Sequence, residues 1–146
     1  VDGEGLVGRV VGVGDRAARL LLLTDFNSRV PVKVLPSGRR AILTGANDDA
    51  PRLSFLDAVA GVASGDRVVT SGDGGVFPPD LLVGAVAVIG EYGARVQVSA
   101  DYERLEFVRV LRYRPSTRID EPGGLILPPA PPAPPSAAIE PPVEGN

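Results

Sequence analysis

The stretch ARVQVSAD, residues 94–101, alternates apolar and polar side chains without a break. Successive side chains of a strand point to opposite faces, so a period of two marks a half-buried strand. Ala94, Val96, Val98 and Ala100 are expected to face a core, and Arg95, Gln97, Ser99 and Asp101 to face water. SRVPVKV at 28–34 repeats the pattern with Val30, Val32 and Val34 inward. Pro31 has no N–H to give to a ladder, which predicts an edge or bulged position for this strand.

Gly, Asn and Asp punctuate the chain at short intervals, and no window holds a helical period for a dozen residues. Strands are predicted at 5–13, 18–24, 28–35, 39–44, 52–56, 66–70, 81–89, 94–100 and 105–113. Nine short strands at that spacing predict an all-β barrel or sandwich. In LEFVRVLRY at 105–113 the alternation fails, since Leu105 and Phe107 fall on one face and Val108 and Val110 on the other. A bulge, or a strand buried on both faces, is expected there. The β domain is assigned to 1–113. Residues 114–146 hold ten of the fifteen prolines, including PPAPPAPP at 128–135, and predict a disordered tail of polyproline II character.

Composition removes most chemistry. Gly72-Asp73-Gly74-Gly75 resembles the nucleophile loop of chymotrypsin-type proteases, but no serine stands between the Asp and the glycine pair. The chain has no histidine to accept a serine proton and no cysteine. The loop is therefore read as a turn, with glycines at positive φ, Pro78 and Pro79 stiffening its exit, and Phe77 packing across it. The residue three before Lys33, the sole lysine, is Val30, so no S-x-x-K dyad exists. VVGVGDRA at 10–17 has the spacing of a dinucleotide fingerprint, yet only a seven-residue, largely apolar run, 18–24, follows it, too short for the helix that would hold a pyrophosphate. Asp48 and Asp49 lack metal-loop spacing and read as a solvated loop. Glu103 and Glu106, three apart in a strand, are expected on opposite faces and not as a glycosidase pair. No catalytic residue, metal site or cofactor is assigned. A net charge of −3, with three Tyr, four Phe and no Trp, disfavours a nucleic-acid partner.

Four segments, GLVGRVVGVG at 5–14, LLLTDFNSRVPVKV at 21–34, GDRVVTSGDGGVFPPDLLVGAV at 65–86 and DYERLEFVRVL at 101–111, together resemble the C-terminal β domain of the MreC family of bacterial rod-shape determinants. Departures are Asp80, where the family commonly has glycine, and Ala41, where RG is common. The resemblance implies two small packed β-barrel-like subdomains, similar to a chymotrypsin-like barrel pair without catalytic residues. It implies a non-enzymatic periplasmic scaffold of the elongation machinery, or elongasome, that organises peptidoglycan synthases and maintains rod shape. The implied partners are the penicillin-binding transpeptidase of elongation, MreD and other morphogenetic proteins, and further copies of itself. Membrane attachment would come only through an N-terminal anchor, and two opening strands of the family's β domain also lie outside this sequence. An unpaired edge is therefore expected near residues 5–13 unless another segment or copy fills it. Candidate partner contacts are Phe77, Pro78 and Pro79, with Phe26 and Tyr92 as secondary choices. The other functions weighed are a ligand- or oligonucleotide-binding barrel and a carboxylate-based wall hydrolase.

Overall fold

A computed structural model describes residues 1–54, 61–90 and 93–115, and Val1–Pro115 pack as one compact unit. The predicted tail lies outside the described residues. The described residues hold eight strands in chain order: β1 Gly8–Val13, β2 Ala18–Leu22, β3 Arg29–Leu35, β4 Arg39–Thr44, β5 Arg52–Ser54, β6 Arg67–Thr70, β7 Leu82–Gly90 and β8 Gly93–Val98. Among the described residues there is no α-helix, only 3₁₀ turns at Asp73–Gly75 and Tyr102–Arg104.

Six strands close into an antiparallel barrel in the order β3-β4-β5-β8-β7-β6, with β6 returning to pair with β3. The alternation read from the sequence sets what fills it. Val30, Val32 and Val34 of β3, Val68 of β6, Val83 and Val86 of β7, and Ala94 and Val96 of β8 are almost wholly buried. Val98 and Ala100 join them, while Gln97 and Asp101 are exposed. β-branched side chains fit such a pleated interior because their single preferred rotamer loses little freedom on packing. Gly84 has no room for a side chain, since a Cβ there would collide with the Gln97 carbonyl on the facing strand.

β1 and β2 stand apart as a two-stranded ribbon, joined by a tight turn in which the Gly14 N–H donates to the Ala17 carbonyl (2.7 Å). Gly12 and Gly14 thus serve a hairpin, and the register slips between Val10 and Gly12. Of the implied second subdomain, the described residues show this ribbon alone.

Two expectations are corrected. β3 is paired on both sides and is no edge strand. Both polar groups of a strand residue point the same way, and the Pro31 carbonyl accepts from Ser71 N–H (3.0 Å) on the β6 side, just past the last paired rung, Val32 with Thr70. The missing N–H therefore falls at the ladder's margin. Residues 105–113 form no strand, because no neighbour among the described residues supplies a ladder; Phe107 is 87% exposed and Val110 66%. Their only backbone bonds to the rest of the described chain are a reciprocal pair between Val1 and Arg109.

Thr70, fully buried, closes the loop between β6 and β7. Its hydroxyl donates to the Pro78 carbonyl (2.6 Å) and accepts from Leu81 N–H (2.9 Å), while its backbone bonds Leu81 and Asp80. Thr70→Val keeps the shape but leaves both partners unpaired, which is expected to cost about 1–3 kcal/mol. Urea unfolding should show that loss; an unchanged midpoint would remove the hydroxyl from this role.

Candidate functional site

The ribbon is anchored where it leaves the barrel. Leu6 N–H donates to the Leu82 carbonyl (2.8 Å), and the Val7 carbonyl accepts both Leu23 N–H (3.1 Å) and the Tyr102 hydroxyl (3.0 Å). Beyond this root β1 turns away from the barrel, and almost all of its residues are exposed. A groove of about 250 Å³ opens between β1, the stretch 108–113 and the loop 76–81. Leu6 and Phe77 form its buried floor, and Val10, Leu20, Val76, Val108, Val110 and Leu111 bring apolar surface to its walls. Arg9 and Arg109 are the charged side chains of its lining.

The loop carrying the protease-like glycines is a structural device. Gly72, Gly74 and Gly75 all lie at positive φ. Asp73 accepts from the Ser71 hydroxyl (2.7 Å) and pairs with Arg40 (3.0 Å), so its carboxylate is held within the loop. Asp80 adopts φ +64, the left-handed backbone that explains why glycine suits this position, and pairs with Lys33 (2.6 Å).

The candidate contact residues separate. Phe77 is 5% exposed and belongs to the core cluster, so its ring is not an open anchor. Pro78 is half-buried and lines the groove beside it. Pro79 is exposed and lies against Gly72. Phe26, 60% exposed, sits on the β2–β3 loop, where its N–H donates to Asn47 Oδ1 (2.9 Å), away from the groove lining. Tyr92 lies outside the described residues. Not anticipated were the walls of the groove, Val10, Leu20, Val108, Val110 and Leu111, with Arg9 and Arg109. For Val108, Arg109, Val110 and Leu111 the signal was the broken alternation of LEFVRVLRY.

Other polar groups offer little chemistry. Glu103 lies in a 3₁₀ turn and Glu106 just after it, not in a strand, and the two line different hollows. Asp48 is held below the usual carboxylate range chiefly by its hydrogen bond from Arg95 (2.8 Å). Among the described residues no three potential metal ligands cluster, and no buried side-chain nitrogen or oxygen lacks a partner. Val88 and Ile89, exposed apolar residues on opposite faces of the β7–β8 hairpin, lie at the other end of β7 from Leu82 and the ribbon root.

Residues 1–112 match the family described as rod shape-determining protein MreC, barrel core. The cell shape-determining protein MreC of Cereibacter sphaeroides is 59% identical over 141 residues, covering 96% of this chain and 46% of that protein. This chain thus spans about half of that relative. The crystal structure of MreC from Pseudomonas aeruginosa superposes with TM-score 0.60 at 37% identity, over 66% of this chain and 65% of that one. A structure described as the major periplasmic domain of the cell shape-determining filament MreC gives TM-score 0.61 at 27% identity, over 70% and 69% of the two chains.

Two substitutions test this geometry. Phe77→Ala should cost about 3–5 kcal/mol, the usual loss for a buried ring, read by chemical denaturation. An unchanged denaturant midpoint would return the ring to the surface. Tyr102, pushed up to about 12 by burial, titrates near 10 when unfolded. Its contribution is complete below pH 10; above that the unfolded chain ionises first, and stability falls until the folded phenol ionises at about 12. Tyr102→Phe should flatten that part of the pH–stability curve, and an unchanged slope would contradict its burial.

Proposed function

The chain belongs to the MreC family of cell shape-determining proteins, and from that premise we propose that it is the periplasmic β module of a scaffold in the cell-elongation machinery. The module organises peptidoglycan synthases, the penicillin-binding transpeptidase of elongation among them, together with MreD and further copies of itself. It works by contact and makes or breaks no bond. In the full-length protein an N-terminal anchor holds it to the inner membrane.

The observation that carries this reading is that apolar side chains stay exposed outside the closed barrel, around the groove and on the β7–β8 hairpin. The groove lies at the Leu82 end of β7, and Val88 with Ile89 lies at the other. Six residues of strand at ~3.3 Å each put the two about 20 Å apart, so two partners can sit on the barrel without competing. An exposed apolar patch on a soluble face is the usual mark of a protein contact. The chain's lack of any imidazole or thiol supports the same reading, since it leaves no ordinary nucleophile–base pair. The periplasmic placement is supported by the solved relative described as a major periplasmic domain.

The test is titration of the purified chain against the periplasmic part of the elongation transpeptidase, with the thermal midpoint recorded alongside. Saturable binding that Val88→Asp with Ile89→Asp weakens, at an unchanged midpoint, is expected. Absence of binding by the unsubstituted chain to the transpeptidase would overturn the scaffold reading.

A further inference from the structure

The outer wall of the barrel carries its positive charge in rows. Register places Arg29 of β3 opposite Thr44 of β4, Thr44 opposite Arg52 of β5, and Arg52 opposite Arg95 of β8. Four residues further along β3 and β4, Lys33 stands opposite Arg40. Between the two rows lies an uncharged one, Pro31, Ile42 and Ser54. All of these side chains turn away from the barrel interior, since their strand neighbours Val30, Val32, Ala41, Leu43, Leu53 and Ala94 are buried in it. Like charges directly opposed weaken a sheet. This wall nonetheless sets two such rungs, Arg52 with Arg95 and Lys33 with Arg40, in a chain that is net −3.

Carboxylates from the loops answer part of that charge. Asp48 pairs with Arg95 (2.8 Å), Asp73 with Arg40 (3.0 Å) and Asp80 with Lys33 (2.6 Å). Arg29 and Arg52 have no ion pair among the described residues; Arg29 donates to the Phe26 and Ser28 carbonyls (2.9 and 3.0 Å), and Arg52 is exposed. Two strand spacings of ~4.8 Å put these two arginines about 10 Å apart. Excess charge of one sign on a wall of fixed geometry is set to receive the opposite sign. The backbone decides the form of the occupant. β3, β4, β5 and β8 are each paired on both sides, so the wall offers no edge to an added strand. What lies on it must bring its own backbone hydrogen bonds, as a helix does, and a sheet face is a surface on which helices pack. A phosphate chain or lipid headgroup would meet the three aspartates as well as the arginines, and would leave Pro31 and Ile42 without an apolar neighbour.

We propose that this wall docks an amphipathic helix of a partner protein, lying across β3, β4 and β5, with carboxylates seven residues apart and apolar side chains between them. Seven residues at ~1.5 Å each span about 10 Å, the separation of Arg29 and Arg52. Residues three and four positions after the first carboxylate share its helix face and rest on Thr44 and Ile42. The guanidinium forks of Arg29 and Arg52 hold the two carboxylates and so fix the register. This inference rests on the scaffold reading and specifies the chemistry of one of its contacts.

The probe is a labelled synthetic helix with Glu at two positions seven apart, Leu three and four residues after the first, and Ala and Gln elsewhere, followed by fluorescence anisotropy with the whole chain. Saturable binding that weakens with added salt is expected. Arg52→Glu turns the like-charge rung with Arg95 into an opposite-charge one, so the thermal midpoint should not fall while binding weakens about fivefold or more. Exchanging one peptide Glu for Lys should restore that binding. Moving the second Glu to five residues from the first takes it off the shared helix face, and proline at mid-peptide breaks the helix; either should abolish binding. Absent binding, a midpoint lowered by Arg52→Glu, indifference of binding to that substitution, or equal binding of the shifted or proline peptide would each overturn the proposal. So would binding of phosphatidylglycerol vesicles in preference to the peptide, which would assign the arginines to a lipid surface, or self-association that Arg52→Glu abolishes, which would assign the wall to a second copy. Retained transpeptidase binding beside a failed peptide would sink this inference alone; absence of transpeptidase binding by the unsubstituted chain would sink the scaffold reading beneath it.

Discussion

Closure of the ladder between β3 and β6 is the constraint on which the rest of the molecule depends. Once Val32 to Leu35 pair with Arg67 to Thr70, the six-strand sheet has no edge, and each strand's backbone is offered a partner on both sides. A strand excluded from that ring must find its hydrogen bonds elsewhere. Among the described residues β1 and β2 find only each other, and 105–115 find almost nothing. Closed and open parts therefore differ in kind. The barrel buries its valines and supplies rigidity, whereas the ribbon and the last stretch leave apolar side chains and peptide groups facing outward. Tyr102 and the Val7 carbonyl join the two parts, fixing the angle at which the open ribbon leaves the closed barrel.

Much of the barrel was legible because a period of two is a local property. Val30, Val32 and Val34, and Ala94, Val96 and Val98, point inward wherever their strands pair, so the pattern alone placed them. Ladder membership is not local. Nothing within LEFVRVLRY says whether a neighbouring strand exists, and β-rich composition without a partner yields extended chain and exposed Phe107. Pro31 misled for a related reason: the side to which its missing donor points depends on where β6 stops, a fact set by the loop at Ser71. Asp80 went the other way. Its oddity against the family's glycine acquires a physical cause in its left-handed φ, offset by the ion pair with Lys33.

The site was harder to read than the fold. The stretch around Phe77 drew notice through its glycines and prolines, and these residues shape the loop instead of acting from it. Thr70 draws Pro78 and Leu81 inward, and the ring follows into the core. The open surface lies next to it, made by residues distant in sequence, Val10 and Leu20 on one wall and Val108 to Leu111 on the other. No single motif marks such a surface, since it exists only after the barrel has closed and left those segments out. The chain belongs to a cell shape-determining family.

The central claim is that closure of one sheet leaves a second one open. Residue-resolved amide hydrogen exchange tests it most directly. The account predicts that amides of β3, β6 and β8 open only with global unfolding, while the alternate amides of β1 that face away from β2, and those of 110–114, exchange orders of magnitude faster in the same molecule. Barrel amides that exchange as fast as the ribbon's, or an outer β1 edge as protected as the barrel, would contradict it.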